Sequence, residues 1–109
     1  MGRYREDPSA LLMNIFDYTI PAKDEDLTAL LEHKNIKIVR IVSSNDLEPK
    51  VYTQGEDEWV VVLEGKATIL INNEPNILSK GDALFIPSNT PHKIIEVANG
   101  TLWLAVHIY

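Results

Sequence analysis

The sequence predicts an all-β domain, a sandwich or barrel of about eight short strands with a short N-terminal helix. Three observations predict it. From residue 36 onward apolar residues recur with a period of two. Each run is short and ends in turn-forming residues. At 109 residues and 45% hydrophobic content the chain fills one core. A small domain of many short strands must close on itself or cover its edges.

The elements follow in order. Asp7-Pro8-Ser9 suits one helical turn, because proline fits a first helical position. Phe16, Tyr18 and Ile20 alternate as in an edge strand, and Pro21 breaks the pattern. Asp24-Glu25-Asp26 places negative charge where a helix macrodipole favours it. Leu27, Leu30 and Leu31 then follow at i, i+3 and i+4, which predicts an amphipathic helix through about His33. Strands are expected at 36–43, 50–54, 58–63, 67–71, 75–78, 83–87, 93–97 and 101–109. Turn residues separate them, among them Glu64-Gly65, Asn72-Asn73, Lys80-Gly81 and Asn99-Gly100. The domain reading is one unit, with a lead of residues 1–35 packed on a barrel of residues 36–109.

Composition excludes several function classes. The absence of cysteine removes disulfides, thiolate metal sites and cysteine nucleophiles. A net charge of −6 with scattered basic residues argues against a nucleic-acid partner. The longest apolar run, Trp59 to Leu63, is far too short to span a bilayer. Arg3 and Arg5 lead into Glu6 and Asp7 rather than an apolar stretch, so a cytoplasmic protein is expected. The glycines do not cluster into a phosphate loop, and no serine shows a paired histidine.

Two segments carry the chemistry. One runs from Tyr52 to Gly65 and contains Gln54 and Glu58; the other runs from Gly81 to His92 and contains Pro87. Tyr52, Gln54, Glu58, Val60 and Val62 share one parity, so an extended chain projects them to one side. A carboxylate among valines needs a cation, a donor or a proton. His92 would bring an imidazole from another strand, and Gln54 an amide oxygen. Glu56 and Asp57 read as solvated turn charges, His33 as a surface dipole partner, and His107 as a structural residue whose facing is open. Arg40 shares parity with Ile38 and Val42; it either reaches the barrel mouth as an anion clamp or snorkels to solvent. Gly65 and Gly81 are backbone devices for tight turns. Trp59, opposite in parity to Glu58, suits a dimer face.

These segments resemble the two signature motifs of the cupin superfamily. The first motif reads Gly-x5-His-x-His-x3,4-Glu-x6-Gly. Glu58 and Gly65 keep its spacing, while Tyr52 and Gln54 stand where the histidines would be. The second reads Gly-x5-Pro-x-Gly-x2-His-x3-Asn. Gly81, Pro87 and His92 match it, while Asn89 replaces the inner glycine and Glu96 the final asparagine. The segment around Tyr52, Gln54 and Asp57-Glu58-Trp59 further resembles a subgroup of small bacterial stand-alone cupins. The resemblance implies a double-stranded β-helix, the cupin jelly-roll barrel, and a homodimer. It implies a divalent metal (zinc, nickel, iron or manganese) held by Gln54, Glu58 and His92, with Tyr52 and Arg40 in the substrate pocket. Glu58 is the candidate catalytic residue, as a general base if no metal is present. The implied chemistry is dioxygenase-, isomerase- or cyclase-like, on a small organic acid, phenol or sugar. Two other readings stand beside it: a binding module or sensor without turnover, and a structural remnant of a lost metal site.

Overall fold

The computed structural model describes residues 12–109. Eight strands follow one another: β1 (Glu25–His33), β2 (Ile36–Ser43), β3 (Asp57–Glu64), β4 (Lys66–Ile71), β5 (Glu74–Ser79), β6 (Ala83–Ile86), β7 (His92–Val97) and β8 (Thr101–Ile108). They form a five-stranded sheet, β1-β2-β8-β3-β6, and a three-stranded sheet, β5-β4-β7. Every pairing is antiparallel. The two inner faces meet in one core. Val60, Val62, Ile86, Trp103 and Ala105 come from the larger sheet, and Ala67, Ile69 and Leu78 from the smaller. Alternation explains the selection: Trp103 and Ala105 face Val62 and Val60 across the β3–β8 ladder. Trp103 is 2% exposed, and its indole N–H donates to Ser43 Oγ at 3.0 Å, so burial leaves no polar atom stranded.

Two glycines make the turns possible. Gly65, at φ +96°, reverses the chain between β3 and β4, and Gly81, at φ +89°, precedes β6. Gly81 N–H donates to Val62 O at 2.7 Å, and Val62 N–H to Asp82 O at 3.0 Å. Asp82 in turn accepts the Ser79 N–H at 2.8 Å. The Gly81-Asp82 pair thus joins β5 to β3 and lines up β6.

Three sequence expectations are corrected. Residues 24–33 are not a helix, and no helix occurs among the described residues. β1 pairs along the whole of β2, from Glu25 opposite Ser43 to His33 opposite Ile36. The register shifts between Ala29 and Leu31, which leaves Leu30 as an extra residue. That bulge turns a period-two strand into the i, i+3, i+4 spacing of a helix. Pairing also covers the edge of β2, which a detached helix would leave open. Secondly, Phe16–Ile20 is irregular, with a turn in which Asp17 N–H donates to Asn14 O at 3.0 Å. Thirdly, residues 50–54 form no strand; only Tyr52 makes a bridge, to His92. The turn expected at Asp7-Pro8-Ser9 lies outside the described residues.

The outer face of the larger sheet carries an apolar row. Leu31 pairs Ile38, Ile38 pairs Val106, Val106 pairs Trp59 and Trp59 pairs Phe85. The row crosses all five strands, and Leu31, Trp59 and Phe85 are exposed.

Candidate functional site

Glu58 and His107 are direct cross-strand partners on the inner face of β3 and β8, one step beyond Val60 and Ala105. Glu58 is buried, 8% exposed. Its Oε1 accepts a hydrogen bond from Gln54 Nε2 at 2.8 Å. Its Oε2 lies 3.9 Å from His107 Nε2, too far for a hydrogen bond. His107 Nδ1 lies 3.1 Å from Glu56 Oε2, with both side chains largely buried. Glu56 therefore belongs to the site and is not a solvated turn charge. Asp57 is not free either: its Oδ1 accepts the Ser88 N–H at 2.8 Å and fixes the loop that leads to His92.

His92 begins β7 opposite Ile71 of β4, on the face that carries the core residue Ile69. The smaller sheet thus turns His92 inward. The Asn89 N–H donates to Gln54 O at 2.7 Å, and Tyr52 exchanges backbone bonds of 2.8 and 3.0 Å with His92. Those bonds tie the 52–54 segment to the start of β7 and to the loop before it. The Tyr52 and His92 rings stand 6.1 Å apart, and Lys50 Nζ lies 5.4 Å from the Tyr52 ring centroid. His92 Nδ1 is 2.9 Å from the Thr90 carbonyl oxygen.

Both histidines share one feature. A carbonyl or carboxylate oxygen can only accept, so each Nδ1 carries the proton. In the neutral ring each Nε2 is then a lone pair, and neither Nε2 has a hydrogen-bond partner among the described residues. Two imidazole nitrogens, the carboxylate of Glu58 and the amide of Gln54 are donor types that a divalent ion of the zinc, nickel, iron or manganese kind takes. Among the described residues no three His, Asp or Glu side chains are already drawn to ligand spacing. Glu58 and His107 form the pre-arranged pair.

Arg40 does not reach this site. It pairs Leu104, on the face opposite Val39 and Ala105, and its Nη1 donates to Asp17 O at 2.9 Å and Ile15 O at 3.2 Å. Its role is to strap the segment before β1 against the sheet. Of the two roles that parity left open, the anion clamp in the substrate pocket is corrected for that reason.

Glu25, which sequence reasoning missed, starts β1 and accepts the Ser43 hydroxyl at Oε2, 2.8 Å away. The chain of donors has one direction. The Trp103 indole can only donate to Ser43 Oγ, so Ser43 gives its proton to Glu25. Burial pushes the Glu25 carboxyl above its ordinary value; the Ser43 bond partly offsets this, and the nearby charge of Glu58 adds to the rise.

The family model of the cupin domain matches residues 39–107, from within β2 to His107 of β8. The chain belongs to the cupin family. This cupin is 34% identical over 86 residues to an uncharacterized protein of Methanocaldococcus jannaschii, covering 71% of this chain and 67% of that protein. It is 33% identical to a candidate mannose-6-phosphate isomerase of Ralstonia eutropha JMP134, known from a crystal structure. That likeness has a TM-score of 0.78 and covers 89% of this chain and 96% of the other. The KdgF protein of a Halomonas species shares the fold at 16% identity and a TM-score of 0.73, covering 84% and 86% of the two chains. No helix among the described residues of this cupin is long and apolar enough to cross a membrane.

Proposed function

We propose that this cupin holds a divalent metal ion at the polar end of the barrel and binds or transforms a small organic molecule there. The observation that carries the reading is the shared arrangement of His107 and His92, each with Nδ1 tied to an oxygen and Nε2 left without a hydrogen-bond partner among the described residues. Histidines that ligate metals are characteristically held this way, because the second bond fixes the tautomer and the ring. Glu58 Oε2 and His107 Nε2 would hold the ion, with Gln54 and His92 completing the set. A bound ion would supply Lewis-acid polarisation and an activated water. The protein's own part is orientation: Glu56 holds His107, Thr90 holds His92, and the Gln54 amide holds Glu58. A cytoplasmic setting suits a cysteine-free nitrogen and oxygen site.

A binding module without turnover is the second reading, favoured by the Gln54–Glu58 bond, which satisfies one Glu58 oxygen without any ion. Calorimetric titration of stripped protein with each of the four ions separates the two. Saturable binding lost in both Glu58→Gln and His107→Ala supports the metal reading; heat that survives both variants removes it.

We further propose that the chain pairs with a second copy through the apolar row on the outer face. β8 is the middle strand of five, so a two-fold axis through Val106 lays Leu31 and Ile38 of one copy over Phe85 and Trp59 of the other. Aliphatic and aromatic halves thereby complement each other.

A further inference from the structure

Beside His92, at the rim of the same end of the barrel, lies a cavity of about 210 Å³. Its walls come from the β4–β5 turn (Asn72, Asn73), from Leu70 and Lys93 on the outer side of the smaller sheet, and from Val51 and Pro91. The turn is tied to the opposite wall, because Asn72 N–H donates to Pro91 O at 3.0 Å. The cavity is therefore a braced feature and not a gap between free loops.

Its chemistry is at odds with the rest of the chain. The protein has sixteen acidic residues against ten basic, yet no acidic side chain lines this cavity. Lys93 is half-buried and makes no ion pair among the described residues. A second cation, Lys50, stands next to Val51 and over the Tyr52 ring. Asn72 and Asn73 are held at φ +49° and +68°, and their side-chain amides make no hydrogen bond among the described residues. Val51, Leu70 and Pro91 supply an apolar wall. One half-buried lysine without an ion pair, two asparagine amides without hydrogen-bond partners among the described residues, and an aliphatic wall match a carboxylate attached to a short hydrocarbon. The volume lies below the roughly 300–1,000 Å³ of drug-sized sites, which limits the ligand to a few carbons.

We infer that this cavity captures the carboxylate of a short-chain organic acid, with Lys93 as its counter-charge. The inference adds a small-molecule site next to the one proposed above, sharing only His92 with it, and does not depend on the metal.

The test uses the full chain, stripped with chelator so that no ion contributes. Amide chemical shifts are followed while butyrate, butanamide or inorganic phosphate is added at pH 7. Butyrate should saturate and move the signals of Asn73 and Lys93, while butanamide, of the same shape but uncharged, should bind at least about tenfold more weakly, the worth of one charge-assisted hydrogen bond. Lys93→Gln, a substitution on an outward strand position, should weaken butyrate by a similar factor. Butyrate and butanamide binding alike, or Lys93→Gln leaving butyrate unchanged, would overturn the inference. Phosphate binding there as tightly as butyrate would also overturn it, since the apolar wall would then contribute nothing. A stripped protein that binds butyrate while the metal titration fails leaves this inference standing and removes only the ion.

Discussion

Replacing Gly65 with alanine should damage the fold far more than replacing Gly81, although both are motif glycines at positive φ. At Gly65 an added Cβ would lie 2.8 Å from Thr101 Cα and 2.9 Å from Thr101 Cβ, and would collide with Thr101 Oγ1. At Gly81 nothing lies within 4 Å. Thr101 cannot step aside cheaply. It is fully buried in β8, and its hydroxyl bonds to Ala98 O at 2.7 Å, Lys66 O at 3.2 Å and Lys66 N at 3.3 Å. Backbone strain at a non-glycine residue costs about 1–3 kcal/mol at either position. Displacing Thr101 adds the loss of one or two hydrogen bonds, so Gly65→Ala should cost roughly 3–5 kcal/mol in all. For a domain of this size each kcal/mol lowers Tm by about 4–8 °C, so Gly65→Ala should melt about 12 °C or more below wild type. Gly81→Ala should lose about half as much or less. Thermal unfolding followed by far-UV circular dichroism reads both. Equal losses in the two variants, or a Gly65→Ala loss under about 4 °C, would refute the contact argument.

Other consequences follow from the interior and the outer face. Because the Glu25 carboxyl is raised in the folded state, the native protein binds a proton that the unfolded chain has already released. Stability is therefore fully present below the unfolded value and declines as pH rises through the folded one. Glu25→Gln keeps an acceptor for Ser43, removes the charge, and should melt higher than wild type at pH 7 while converging with it in acid; parallel melting curves across pH would contradict this. Glu56→Gln should weaken metal affinity by about 10–100-fold without unfolding the chain, as read by competition with a chelating dye. Trp59→Ser together with Phe85→Ser should shift the protein from dimer to monomer in light-scattering chromatography, and an unchanged mass would remove the outer row as the contact.

Much of the architecture was legible because turn chemistry is local. Asn72-Asn73, Gly65, Gly81 and Asn99-Gly100 each mark a reversal, and the runs between them alternate as half-buried strands must. β1 was illegible because Leu30 bulges out of register, and one extra residue is enough to imitate a helical period. Misreading β1 also hid Glu25, which looked like a helix-start charge and is instead an inward residue bonded to Ser43. His107 lies outside both motif segments. Its alternation with Trp103 and Ala105 on β8 was the available signal that it faces inward. Glu56 escaped because its role comes from β8, through a histidine 51 positions further along the chain, a contact that no local pattern records. Arg40 shows the converse. Its strand parity was readable, but which face of β2 meets the core depends on the partner strands.

The most direct measurement of the site is the metal content of the folded protein after exposure to zinc, nickel, iron or manganese and exhaustive dialysis. Mass spectrometry of the elements should find close to one ion per wild-type chain, and little in His107→Ala or Glu58→Gln chains that still melt cooperatively. Folded wild type that emerges empty from all four ions, or variants that retain the full content, would contradict a metal centre built on Glu58 and His107.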